Sequence, residues 1–422
     1  MISLFDLAAL LLTLSALFGW LNHRVVRLPH TIGLLVMGLT ASLLLVLLDL
    51  IFPGQHLYDQ VKQLLLQIDF TQVMMNGMLA FLLFAGAIHL DVSALRDRAW
   101  PVAFLALVGT TISTAIVGVA FFGAAQGLGH ALPLAWALVF GALISPTDPV
   151  AVLATLKNVN VPQALEVEMQ GEALLNDGVG VVLFTALLAF ATASGADGNA
   201  AIGLFESVFR DALGGLALGA LTGYGAYRAM RAIDDFPVEV LITLALVTGT
   251  YALAQKIGTS GPLAVVAAGL LIGERAPRYA MSERTRTYVS ALWTLIDEVL
   301  NSVLFLLIGL EVLVLRFEPS ALGLAFAAVP IVLVARLISV SAPLIAFRWS
   351  DRLSARNVPF LTWAGLRGGI SVALALALPD DPSKSAILAA TYAVVLFTIV
   401  VQGSTLGIVA RWTVRPPALR RE

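Results

Sequence analysis

The chain has 422 residues, 59% hydrophobic and 12% charged, with a mean hydropathy of +0.92 and a formal net charge of -2. Soluble domains are about 25% charged, so the composition excludes a large soluble core and indicates a polytopic membrane protein. With no cysteine, disulfides and thiolate metal sites are excluded as well.

Apolar runs of about twenty residues, the length that crosses a bilayer, recur with short polar breaks. They predict spans at about Ile2–Leu21, Thr31–Phe52, Gln72–Leu90, Trp100–Ala124, Pro133–Leu156, Met169–Ala191 and Phe209–Met230. Further spans are predicted at about Pro237–Lys256, Gly261–Ile272, Tyr288–Leu315, Ala321–Phe347, Val358–Pro379 and Ser385–Trp412, about thirteen in all. Met1–Asn22 carries Asp6 and neither a basic start nor a small-residue cleavage pattern, so it is expected to be the first span, not a cleaved signal. Between the second and third spans, Leu57, Val61, Leu64, Leu65 and Ile68 make Pro53–Phe70 an amphipathic run suited to the membrane interface.

Charge at the span ends sets an orientation. One set of alternate ends carries Arg24, Arg27, Arg96, Arg98, Lys157, Arg228, Arg231, Arg275, Arg278, Arg284, Arg286, Arg348, Arg352, Arg356, Arg411, Arg415, Arg420 and Arg421. The opposite set carries Lys62, Lys256, Arg316 and Lys384. The first set is expected in the cytoplasm, which puts the C-terminus inside and the N-terminus outside. An odd span count suggests two six-span halves and a linker span. With the seventh as linker, the fifth and twelfth correspond and run in opposite directions, the inverted-repeat plan of secondary transporters.

Both of these spans are interrupted. The fifth contains Ser145-Pro146-Thr147-Asp148-Pro149, where each proline removes a backbone donor and clashes with the turn before it. The twelfth contains Gly365-Leu366-Arg367-Gly368-Gly369. Unwound backbone at membrane depth is tolerated where it is buried in protein or lines a cavity, and the half-helix ends present oriented dipoles. Asp148 and Arg367 are natural counter-charges for those ends. The plainer reading is a pair of kinked structural helices; breaks at matching places, both carrying charge, weigh against it.

The sixth span opens with Gly171-Glu172-Ala173-Leu174-Leu175-Asn176-Asp177. A carboxylate at bilayer depth costs roughly 2.5–3.5 kcal/mol even on a lenient insertion scale, so two in one span must face protein or water. Five residues of helix turn through about 140°, so Glu172 and Asn176 share a face while Asp177 looks elsewhere. The basic residues deep in spans are Arg336 and Arg367. The simplest assignment pairs Glu172 with Arg336 and leaves Asp177 to bind a cation or a proton. In the tenth span Asp297 and Asn301 share a face at i,i+4; with Glu298 they either extend the polar path or pack against the sixth span. His89, at the end of the third span, reads as a solvated end group.

Thr147-Asp148-Pro149 in a broken span, Glu172-x-x-x-Asn176-Asp177 in the next, Ala335-Arg336 and Gly365-Leu366-Arg367-Gly368 together resemble the cation:proton antiporter superfamily, in its NhaP-like sodium/proton antiporter branch. The match runs through essentially the whole chain in span order. The resemblance implies an all-α polytopic fold with crossed, broken fifth and twelfth helices, a homodimer and elevator-like alternating access. It implies a core domain at about 72–191 and, in part, 288–412, with a dimerisation domain from the first two spans and about 209–275. It places the ion and proton site at Asp177 and Asn176, with Asp148 and the Thr147 backbone nearby. It assigns Glu172 and Arg336 a structural ion pair, and Asp148 and Arg367 dipole compensation. Two positions depart from the pattern: Ala173 stands where many relatives carry serine, and Leu83-Phe84-Ala85-Gly86 stands where some carry a third-span carboxylate.

The expected function is antiport of a monovalent cation, Na⁺ first and K⁺ or Li⁺ otherwise, for H⁺, with both competing for the Asp177 carboxylate. A hard monovalent cation takes oxygen ligands. The nucleotide-binding, zinc-hydrolase and Ser-His-Asp patterns are absent, so neither enzyme chemistry, a cofactor nor a nucleic-acid partner is expected. A cation channel would show a continuous polar stripe, and an organic-acid carrier a basic pocket; the spans hold isolated charges instead.

Overall fold

In lipid, backbone polar groups must be satisfied within the protein, and an apolar run of about twenty residues meets that demand as a helix. The computed structural model describes residues 4–52, 73–148, 152, 161–192, 198–312, 319–346 and 357–414, and every regular element among them is helical. The amphipathic run from Leu57 to Ile68, Pro149, and the basic residues Lys62, Lys157, Arg316, Arg348, Arg352, Arg356, Arg415, Arg420 and Arg421 lie outside the described residues.

The first helices are α1 (Leu4–Leu21), continued by a π turn at Asn22–Val26, and α2 (His30–Ile51). Next come α3 (Leu79–His89) and the short α4 (Val92–Asp97), followed by α5 (Ala99–Gly127), α6 (Leu134–Ile144) and α7 (Gln163–Thr192). The chain continues through α8 (Gly198–Met230), α9 (Phe236–Ile257), α10 (Gly261–Tyr279), α11 (Glu283–Glu311) and α12 (Pro319–Ala346). It ends with α13 (Val358–Trp363), α14 (Gly369–Leu376) and α15 (Lys384–Thr413). Among the described residues, eight helices are long and apolar enough to cross a membrane, and α3 and α6 are shorter apolar helices.

Several helices outrun the apolar stretch that predicts them. The eighth helix starts at Gly198, α10 runs on to Tyr279, and α11 starts at Glu283. Hydropathy marks the part of a helix that lies in lipid, whereas caps decide where its hydrogen bonding stops. The Ser260 hydroxyl accepts the Leu263 N–H at 3.4 Å to open α10, and the Ser282 hydroxyl accepts the Thr285 N–H at 3.4 Å to open α11.

The helices pack in two groups. In one, α6 lies between α5 and α7, while α12 rests on α5 and α15. In the other, α10 packs on α8, α9 and α3, and α11 on α2 and α3. Gly215, Gly219 and Gly223 form a stripe on α8 that faces the α10 backbone. A Cβ at Gly219 would overlap the Ala264 carbonyl, so the small residues set how closely α8 and α10 approach. Both halves of the twelfth span meet the first group: α13 packs on α12 and α15, and α14 on α15 and α6.

Candidate functional site

The two breaks meet. Helix α6 stops at Ile144, and α13 and α14 are separated by Ala364–Gly368. The backbone N–H of Asp148 donates to the Leu366 carbonyl at 2.8 Å. The Arg367 guanidinium is fully buried and donates to the carbonyls of Ser145 and Pro146, the latter at 2.8 Å. These carbonyls end α6, where the helix dipole is negative, so a cation there is favourable. Asp148 takes the opposite position: its carboxyl lies against Gly368, the residue that caps the N-terminus of α14. Any Cβ at Gly368 would overlap that carboxyl. Each break thus carries the charge that complements the other span's half-helix.

Helix α7 presents a polar face built on i,i+4 spacing. Glu172 is buried and forms a bidentate pair with Arg336 of α12, the Nη2–Oε2 contact being 3.0 Å. Arg336 also donates from Nε to the Leu361 carbonyl at 3.4 Å. One turn on, Asn176 donates from Nδ2 to the Thr147 hydroxyl at 2.9 Å and accepts the Thr147 N–H at 3.3 Å, holding the unwound segment against α7. One turn before, Glu168 is buried and paired with Arg98 at 2.7 Å. Sequence reasoning missed this pair. The 168–172–176 spacing was its legible signal, but Arg98 sits at a predicted span end and reads there as a cytoplasmic charge.

Asp177 turns away from that face, as the helical angle requires. It is 8% exposed, and its carboxylate takes no hydrogen bond or ion pair among the described residues. Asp148 and Arg367 are its charged neighbours, one repelling and one attracting. It opens into a cavity of about 240 Å³ whose polar lining includes Thr147, Asp148, Asp297, Asn301 and Ser371. Asp297 and Asn301 therefore reach the same space as Asp177, and the Asn301 amide donates to the Asp297 carboxylate at 3.0 Å. Leu83, Ala85 and Gly86 form an apolar wall where a third-span carboxylate would stand. Ala173 lines a small hollow beside Thr147, Glu172 and Arg336.

His89 is exposed, in keeping with an end group of the third span, and it has neighbours that the sequence did not mark. It lines the Asp177 cavity, shares hydrogen-bond distance (3.3 Å) with the Thr294 hydroxyl of α11, and also borders a second hollow of about 520 Å³ with Asp91, Glu274, Arg278 and Arg286. The α3–α11 contact brings it there, and no periodicity within either helix reports that contact. Gln170 and Ser371, both in the cavity wall, were likewise unmarked in the sequence.

Residues 12–412 match the family described as sodium/hydrogen exchanger, transmembrane. The chain is 43% identical to the Na⁺/H⁺ antiporter NhaP of Pseudomonas aeruginosa, over 96% of each chain. It is 34% identical to the Na⁺/H⁺ antiporter NhaH of Halobacillus dabanensis, over 91% of each. Among solved structures, the sodium proton antiporter MjNhaP1 from Methanocaldococcus jannaschii has the same fold, with a TM-score of 0.75 at 20% identity over 96% of this chain and 97% of that one.

Proposed function

The chain belongs to the sodium/hydrogen exchanger family, and from that premise we propose that it is a secondary antiporter exchanging a monovalent cation, Na⁺ first among them, for H⁺. The observation that carries the reading is Asp177: a carboxylate at membrane depth, without a partner among the described residues, open to a cavity where two interrupted helices meet. The carboxylate is neutralised by one proton or by one cation, and their competition couples the two flows. The Thr147 backbone, Asp148, Asn176 and water complete the oxygen-rich surroundings that a hard cation needs.

Asp148 and Arg367 compensate the half-helix dipoles and stay charged through the cycle. Glu172 and Arg336 hold α7 to α12. With Asn176 unable to titrate, one carboxylate exchanges its load per cycle, so transport is electroneutral. Movement is elevator-like. The moving body is the core at about 72–191 and, in part, 288–412, within which α5–α7 and α12–α15 pack on one another. The static side is the dimerisation domain of a homodimer, from the first two spans and about 209–275; α11 packs against its α2 and α3 against its α10. The protein works in the plasma (inner) membrane, with its C-terminus in the cytoplasm and its N-terminus outside.

The test is transport by purified protein in liposomes with Na⁺, K⁺ and Li⁺ compared, wild type against Asp177→Asn. Wild type is expected to move protons against Na⁺, and Asp177→Asn to insert and fold without exchanging. Wild-type rates from the variant would sink the assignment. K⁺-driven exchange exceeding Na⁺-driven exchange would make it a potassium/proton antiporter.

A further inference from the structure

The turn that joins α1 to α2 is shaped by a buried clamp. Asn22 donates from Nδ2 to the Leu28 carbonyl at 3.0 Å and accepts the Leu28 N–H at 3.2 Å. Its own carbonyl accepts the Arg27 N–H at 2.6 Å. The Asn22 amide sits against Gly33, where a Cβ would overlap it. The clamp holds Arg27 in the left-handed region at φ 59°, the only non-glycine described residue with positive φ, a conformation that side chains with a Cβ disfavour.

This backbone turns His23, Arg24, Arg27 and His30 toward one hollow of about 610 Å³, and among the described residues no carboxylate lines it. The His30 ring is in hydrogen-bond contact with the Ser302 hydroxyl at 2.8 Å, which fixes the hollow against α11. Some other arginines at helix ends do meet acids: Arg96 pairs with Glu274, Arg98 with Glu168 and Arg286 with Glu283. The Arg24 and Arg27 guanidinium groups make no hydrogen bond or ion pair among the described residues. Beside them Trp20, Val25 and Val26 are exposed, at 63%, 65% and 43%. An exposed tryptophan next to apolar side chains and cations is the pattern of a membrane–water interface.

We propose that this hollow binds the phosphate of an anionic phospholipid, held by the Arg24 and Arg27 guanidinium groups, with the acyl chains lying along Trp20, Val25 and Val26. Two converging guanidinium groups match a phosphate better than point charges do, because each offers paired N–H donors in a plane. A headgroup also explains why the turn gathers like charges with no acid among them. The site requires only that this turn lie at a membrane surface. It is separate from the Asp177 cavity, so its failure would leave the antiport reading standing.

The experiment titrates the full-length protein in detergent with phosphatidylglycerol, with phosphatidylcholine and with inorganic phosphate, reading binding by native mass spectrometry and thermal stability in parallel. Wild type is expected to bind phosphatidylglycerol saturably and at least tenfold more tightly than the other two. The variant R24Q/R27N removes both charges while keeping at position 27 a residue that accepts the left-handed backbone. At about fivefold per arginine near a lipid surface, it should bind phosphatidylglycerol roughly 30-fold more weakly. The control R228Q/R231Q, at the end of α8, should bind as wild type does. Equal affinity for phosphatidylcholine, an unchanged R24Q/R27N, or an equal loss in the control would overturn the site. Inorganic phosphate binding as tightly as the lipid would make it a soluble-anion site and overturn the lipid assignment.

Discussion

The backbone N–H of Asp148 donates to the carbonyl of Leu366 at 2.8 Å, so the breaks in the fifth and twelfth spans are joined through the main chain. That bond holds the Asp148 carboxyl against the start of α14, and Gly368 leaves the room for it. Gly368→Ala is expected to displace the carboxyl, cost about 1–3 kcal/mol through overpacking and lower exchange at least tenfold. Transport in liposomes and thermal unfolding of the same preparation check this. Exchange at the wild-type rate would show that the close approach is dispensable.

Glu172 and Arg336 are expected to behave as a buried pair. Removing one partner of such a pair typically costs about 3–5 kcal/mol, because the other is left charged without compensation. Glu172→Ala and Arg336→Ala should each reduce thermal stability strongly, and the double variant should lose far less than the sum. Arg336→Lys should rescue only in part, since the two-pronged contact needs a guanidinium. Additive losses in a double-mutant cycle would contradict the pairing.

Exchange is expected to be independent of membrane potential. Asn176 does not titrate, and Glu172 is held by Arg336, so under the proposed mechanism Asp177 carries either one proton or one cation each way. Each elementary charge moved would otherwise be worth about 2.3 kcal/mol per 100 mV. A potassium–valinomycin potential imposed on liposomes should leave the Na⁺/H⁺ end-point unchanged, in wild type and in Asp297→Asn alike. An end-point that follows the potential in wild type and ceases to do so in Asp297→Asn would make Asp297 a second proton carrier in the shared cavity.

Asp91 gives a local acid dependence outside the membrane spans. Its side chain accepts the N–H groups of Ser93 and Ala94 at the start of α4. The Ala94 N–H first, then Ser93 and the Arg278 charge, hold its carboxyl below the usual carboxylate value of 3.8. A pKa depressed on folding means the cap stabilises α4 above the unfolded value and is lost as pH falls through the folded one. Hydrogen exchange of the α4 amides, corrected for intrinsic rate, should stay slow down to about pH 4 and accelerate below it. Asp91→Ala should show fast exchange at every pH, with little change in global unfolding because the site is exposed. Equal protection in the variant would remove Asp91 as the cap.

The distribution of Lys and Arg predicts a cytoplasmic C-terminus and an outside N-terminus. A fluorescent reporter that matures only in the cytoplasm, fused after Glu422, should be bright. A dark fusion with an active periplasmic phosphatase at the same position would reverse the orientation and with it the antiparallel relation of the fifth and twelfth spans.

The sequence by itself determined the class of the protein and where its interrupted helices lie. Twenty-residue apolar runs have one solution in lipid, the helix, and Pro146, Gly365 and Gly368 mark where two of those helices stop, because backbone preferences are local. The angle between Glu172 and Asp177 was equally legible, since it follows from helical geometry alone. Which residues meet across helices was decided by the tertiary structure. Periodicity gives the direction a side chain takes around its own helix, but neither the axial register nor the rotation of the neighbouring helix. For that reason the Glu168–Arg98 pair, the place of His89 beside Thr294, and the gathering of Asp297 and Asn301 into the Asp177 cavity came only with the packing of α7, α3 and α11.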